Sequence, residues 1–434
     1  MEDILAQAKK VAEQAEVFQV SSKVTPINFE ANRLKQIQDK ESTRTALRLI
    51  KGGKVGFAQA SGFIEPGTLV EMAVETCQFG MPAKFSFPNP KVYPKIDTFD
   101  LQIEAVTIDD MVELGEQLIA KIRQHTSDIL CEASISRGIA SIHIINSEGG
   151  EASYNKSLFS LSIEGVFIKN EDMLFVGDSH SSCHPVLDFK PVAEEVIKQL
   201  ELARRNVSIS TKSMPVIFTP HGVASSLVAP LVSAFSGKLV FDGASPLKDK
   251  LGERVFDKNF SLWDDSTLSY QVASYPCDDE GVPSQRTPLI DNGAVSHFFY
   301  DLQTAALANT QSTGNGSRHG GLPTPSPSSL VVGKGDTSFR DMVGDIKEGL
   351  VVEFLMGAEQ GNILNGDFGG NVLLGYKIEN GEITGRVKDT MVAGNVYQLL
   401  KQLEAIGNEA RWVDGFLSTP CLYCSSLSVA SKAG

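Results

Sequence analysis

Short β-prone runs separated by turn signals fill the chain after its first residues. "VFQVSS", "PINFEA", "RLKQIQ", "TRTALRLI" and "KVGFAQA" read as consecutive strands. Gly52-Gly53, between the last two, has the composition of a two-residue hairpin turn. The opening segment, "MEDILAQAKKVAEQAE", has the pattern of a charged amphipathic helix. Two helices follow the strands. The second, "TIDDMVELGEQLIAKI", places acids at its start and Met111, Leu114, Leu118 and Ile122 at helical spacing. "SIHIINSE", "SLFSLSIEGVFI" and "DMLFVG" give three further strands, with Gly149-Gly150 as a hinge, before a helix from about Pro191 to Arg205.

A second half begins near Met214, where the apolar run "MPVIFTP" feeds the helix "GVASSLVAPLVSAFSG". Asn292-Gly293 and Asn380-Gly381 mark hairpins, because both residue types tolerate positive φ. "RHGGLPTPSPSSL" between them is a loop by composition. "DTSFRDMVGDIKEGL" reads as a helix capped by Thr337 or Ser338 and ended by Gly349. Asn395 to Ile406 reads as another helix, stopping at Gly407. Hairpin-paired strands with helices segregated between the groups imply an α+β fold with mostly antiparallel sheets. The 434 residues divide into an N-terminal domain, 1–208, and a β-rich C-terminal domain, 209–434.

Composition narrows the function classes. With 53 acidic against 39 basic residues the net charge is −14, which disfavours a nucleic-acid partner that must be held through its phosphates. The longest apolar stretch, Val223 to Phe235, is too short to span a bilayer, so no membrane role is expected. The N-terminus does not read as a signal peptide, and a cytoplasmic location is the expectation. Six scattered cysteines form no disulfide framework.

Candidate chemistry is sparse. In "DSHSSCHPV", His180, Cys183 and His184 are zinc-ligand types, but the surrounding residues read as a loop and no fourth ligand lies near. Cys421 and Cys424 fall in a terminal strand, where positions three apart face opposite ways. Asp278, Asp279, Glu280 and Arg286 in "CDDEGVPSQR", with Asn315 and Arg318 in "STGNGSR", either shape a cleft for a peptide or hold turns. No Ser/His/Asp triad assembles.

The long segments "DDEGVPSQRTPLIDNGAV", "STGNGSR" and "GDFGGNVLLGYKIENGEITGRVKDTMVAGN", with "RTALRLIKGGKVGFAQASG" near the N-terminus, resemble the TldD/PmbA family, historically called modulators of DNA gyrase. That resemblance covers nearly the whole chain. It implies a zinc metallopeptidase fold with two branches, of which the TldD-like branch carries HExxxH on a helix and the PmbA-like (TldE-like) branch lacks it. Ungapped placement puts Val228 at the first His, Ala229 at the Glu and Ser233 at the second His, while Pro230 interrupts the helix. The chain therefore resembles the PmbA-like branch, with no catalytic residue and no metal of its own. Zinc is then expected in a TldD-like partner, in a heterodimer that handles unfolded peptide. Two alternatives stand beside this: an autonomous metallopeptidase using His180, Cys183, His184 or His221, and a homodimer that binds peptides without cleaving them.

Overall fold

A computed structural model of the protein describes residues 1–170 and 172–432. It shows a mixed α+β fold built on two large, mainly antiparallel sheets. The first contains β1 (Gln14–Glu30), β2 (Arg33–Ile37), β3 (Lys40–Lys51), β4 (Lys54–Ser61), β5 (Leu130–Asn146), β6 (Glu151–Lys169) and β7 (Asp172–Ser182). Its spatial order is β4-β3-β1-β5-β6-β7, with β2 continuing the β3 side of β1. "VFQVSS" and "PINFEA" are thus one strand. Pro26 sits where pairing with β3 has ended and pairing with β2 has not begun, so its missing N–H is tolerated. Gly52 and Gly53 turn with φ of +58° and +69°, as a type I′ hairpin requires.

The opening helix is shorter than its periodicity suggests. It spans Glu2–Ala8, and Gln14 already pairs with Ile50. Together with the helix Pro66–Thr76 it covers Val17, Leu47 and Leu49. The helix Ile108–His125 begins in a capping box between Thr107 and Asp110 and buries Met111, Leu114, Leu118 and Ile122 against β1, β5 and β6.

In the second sheet, the strand Lys212–Phe218 pairs with both Glu348–Met356 and Leu417–Ser431. Those two are linked through Asp367–Glu379 and Thr390–Asn395, so five strands close into a ring. Strand alternation then assigns two faces. Val216, Phe218, Val352, Leu422 and Cys424 join one apolar core. Ile217, Val351, Tyr376 and Tyr423 join another, which they share with the helix Lys190–Leu202 of the first half. Cys421 packs against this second core, so Cys421 and Cys424 serve opposite faces, as their spacing implies.

Two helices are shorter than expected and give way to strand. The helix capped by Ser338 covers only Phe339–Gly344, and Gly349 lies in the strand Glu348–Met356. A Cβ at Gly349 would stand 2.8 Å from the Pro215 carbonyl, so close strand approach, and not helix termination, explains this glycine. Likewise Val396–Leu399 is one turn capped by Asn395, and Leu403–Val413 is a strand paired with Leu417–Ser431. The segment "DSHSS" is the end of β7 and not a loop.

The halves are fastened by a buried charge network. Arg48 on β3 donates to Glu280 at 2.5 Å and pairs with Glu16 on β1 at 3.1 Å. Arg318 pairs with Glu16 from the second half. All four side chains are at least 96% buried. The Arg48 guanidinium also lies 4.8 Å and 4.9 Å from the rings of Phe85 and Phe87. Removing one member strands the others in a low-dielectric interior. Arg48→Met is therefore expected to cost about 3–5 kcal/mol in urea unfolding, and the double variant R48M/E280Q, which keeps the Glu16–Arg318 pair, is expected to recover part of that loss.

Candidate functional site

The helix that the family resemblance singles out follows directly from the strand Lys212–Phe218. Thr219 caps it, its hydroxyl accepting from the Gly222 N–H at 3.2 Å, and Pro220 occupies the first turn, where no N–H is needed. Gly222 allows close packing on the ring, since a Cβ there would meet the Val352 carbonyl at 2.3 Å. The helix runs Pro220–Ser226, breaks at Leu227 and resumes as Val228–Phe235. Pro230 accounts for the break, because it cannot donate to the Ser226 carbonyl four residues back and its ring crowds that group.

Val228 is buried at 7% exposure in the core of the second half. It faces an apolar cavity of about 10 Å³, walled by residues such as Leu262, Leu289, Leu400 and Leu422. Ala229 and Ser233 are half-buried. Catalytic zinc needs about three protein ligands offering nitrogen, sulfur or oxygen, and structural zinc about four. Val228 and Ala229 offer none, and Val228 points into packed hydrocarbon, so the residues at these positions do not fit a zinc ion. Among the described residues no group of three His, Cys, Asp or Glu side chains converges as metal ligands do.

The other zinc-ligand types diverge. His180 is exposed on β7, and Cys183 is buried with its Sγ 3.7 Å from the Gln271 carbonyl. His184 places Nδ1 2.6 Å from Asp100 Oδ2 and stacks on Tyr270 at 3.8 Å.

Of the residues expected to line or brace a cleft, five are tied into turns. Asp278 accepts from the N–H groups of Glu280, Val282 and Gly316 at 3.0, 2.9 and 2.8 Å. Asp279 accepts from the Arg318 N–H at 2.7 Å, and Glu280 accepts from Leu302 at 2.7 Å while pairing with Arg48. Asn315 donates to Asp264 at 2.7 Å. Burial raises Asp278 and Glu280 above the usual carboxylate range, each reinforced by a neighbouring acid, while Arg48 opposes the rise of Glu280. Arg286 stands apart, exposed and stacked 4.2 Å from the Trp263 ring. Glu280 and Arg318 brace the junction of the two halves, through Arg48 and Glu16.

Two larger cavities lie elsewhere, around His221. One cavity of about 620 Å³ runs beside β7 and the helix Pro220–Ser226. Another, of about 480 Å³, lies toward the helix Lys190–Leu202 and the strand Leu403–Val413. His221 borders both. Its Nε2 is 3.2 Å from Asp178 Oδ1, without the alignment of a hydrogen bond, and its ring lies 4.9 Å from that of Phe354. Arg411 holds the other oxygen of Asp178 and reaches Glu195 at 3.5 Å. In the second cavity burial pushes the Glu353 carboxyl up to about 7, with the His221 charge opposing, and the Tyr376 hydroxyl has no partner. Of this cluster only His221 stands out as a candidate in the sequence, because its members are brought together from β7, the interrupted helix and two distant strands.

Two outcomes follow from this geometry. Because Glu353 binds its proton more tightly when folded, its contribution is present below pH 4.5 and is lost as pH rises toward about 7. The stability of Glu353→Gln relative to the unmodified chain should therefore increase across that window, by no more than about 1.4 kcal/mol per pH unit, in urea titrations at several pH values. Val228→His forces a larger, polar group into the dry pocket and should lower stability by about 1–3 kcal/mol in the same assay.

Comparison with known proteins agrees with the fold and the sequence segments. Sequence models of the PmbA/TldA metallopeptidase domain 1, central domain and C-terminal domain match residues 15–76, 102–204 and 211–431. The chain is 27% identical to a metalloprotease PmbA homolog of Haemophilus influenzae, over 93% of this chain and 89% of that one. It is 25% identical to a metalloprotease of Methanothermobacter thermautotrophicus, over 95% and 92% of the two chains. The crystal structure of TldE from Thermococcus kodakarensis superposes with a TM-score of 0.90 at 26% identity, covering 99% of this chain and all of that one. The chain belongs to the PmbA/TldD metallopeptidase family.

Proposed function

We propose that this chain is the PmbA/TldE-like subunit of a two-chain metallopeptidase, binding unfolded peptide while a TldD-like partner supplies zinc and cleavage. The observation that carries this reading is the apolar packing of Val228, which ungapped placement sets against the first zinc ligand of the TldD-like motif. A chain with hydrocarbon there has no group to polarise water or take its proton. The whole-length likeness to a protein named TldE supports assignment to that branch.

On this reading the chain's own contribution is to bind and orient peptide. The cavities on either side of His221 offer volumes suited to a segment of extended chain. The partner's HExxxH helix supplies the zinc-bound water. The assembly is a heterodimer working in the cytoplasm, with no nucleic-acid or membrane role. The net charge of −14 supports the former, and among the described residues no helix is long and apolar enough to cross a membrane.

Purified chain, purified TldD-like partner and their mixture, each given a fluorogenic unfolded peptide, test this directly. Cleavage is expected to be strongest in the mixture and absent with this chain alone. Chelator-sensitive cleavage by this chain alone would establish an autonomous peptidase instead. Peptide binding without association to the partner would establish a sequestering protein.

A further inference from the structure

The 620 Å³ cavity carries a chemical bias that its volume alone does not reveal. Four carboxylates border it, Glu164, Asp178, Glu359 and Asp414, and no Lys or Arg does. Its walls include the rings of Phe175, Phe354 and Phe416. Three of the four acids are exposed at the rim, whereas Asp178 is buried at 5% exposure.

Asp178 is the informative residue. One oxygen is held by Arg411, a residue of the adjoining cavity. The other, Oδ1, has no hydrogen-bond partner, and neither has the facing Nε2 of His221, itself 94% buried. The two atoms face each other at 3.2 Å without an aligned hydrogen bond, so each keeps a bonding capacity that a better-placed partner can take up. A turn of the His221 ring away from Asp178 opens Oδ1 to the cavity. A group with several N–H donors and a positive charge then satisfies it, and the aromatic walls favour the same charge.

We propose that this cavity binds the ammonium group of an unfolded peptide, with Asp178 as anchor, the rim carboxylates as the attracting field and the aromatic walls receiving the adjoining apolar side chain. The inference rests on the reading of this chain as a peptide-binding subunit and names the feature of the peptide it recognises. The ammonium comes either from the peptide's N-terminus or from a lysine side chain. An acidic peptide end is disfavoured by the same four carboxylates.

The test is calorimetric titration of the full chain with a peptide of about eight residues, beginning with an apolar residue and containing one lysine. The peptide is offered unmodified, acetylated at the N-terminus, acetylated at the lysine, and acetylated at both. Double acetylation is expected to weaken binding at least tenfold, and the single acetylation that reproduces the loss identifies the source of the ammonium. Glu164→Gln with Asp414→Asn alters only exposed side chains and should reduce the preference severalfold without affecting folding. Asp178→Asn, checked for a native circular dichroism spectrum, should abolish it. Equal affinity for the unmodified and doubly acetylated peptides would overturn the proposal and leave the subunit reading intact, since peptide binding would persist. A preference unchanged in the rim variant would overturn it too. Absence of binding by every form would do the same, while cleavage with the partner would still judge the subunit reading separately.

Discussion

Charge buried where the two sheets meet can persist only if every ion finds its counter-ion. Arg48 and Arg318, enclosed with Glu16 and Glu280, impose that requirement on segments from opposite ends of the chain. Because β1 and β3 supply two of the four groups and the turns at Glu280 and Arg318 supply the others, the halves have one mutual placement that leaves no ion unpaired. The shared apolar core beneath the helix Lys190–Leu202 acts in the same sense. Together they hold β7 beside the interrupted helix, and that spacing creates the cavities on which a peptide-binding role depends.

The two segments of the interrupted helix serve different surroundings. Its second segment, Val228–Phe235, is anchored through Val228, Leu231, Ala234 and Phe235 in the core of the second half. Its first segment presents His221, Ala224 and Ser225 to open space. Pro230 separates the two by breaking the helix at Leu227. The helix as a whole is a core strut with a polar N-terminal end.

Local signals in the sequence match the structure where the interactions are local. Asn292-Gly293 and Asn380-Gly381 turn with positive φ, and the helix at Ile108–His125 carries its capping box. Failures came where pairing across the sheet overrides local preference. Ile406 continues an apolar run after Asn395, yet it pairs with Leu422 in a strand. Gly349 resembles a helix stop only until Pro215 is seen pressing on it. Family-like motifs drew attention to Asp278, Glu280 and Arg318, but not to their partners Arg48 and Glu16. No spacing rule connects Arg48 to Glu280, which lie 232 residues apart. The cluster of Asp178, His221, Glu353 and Arg411 was hidden for the same reason, its members adjacent only after the ring and the first sheet have packed.

The central claim of the proposal is that Val228, Ala229 and Ser233, the positions set against the zinc motif, offer no ligand set for a metal, so that hydrolytic chemistry belongs to a second chain. The most direct measurement is a competitive zinc titration of the isolated chain against a fluorescent chelator of nanomolar affinity. The account predicts that the chelator keeps the metal. One equivalent of zinc retained by the protein, and released by substitution of its own side chains, would contradict it.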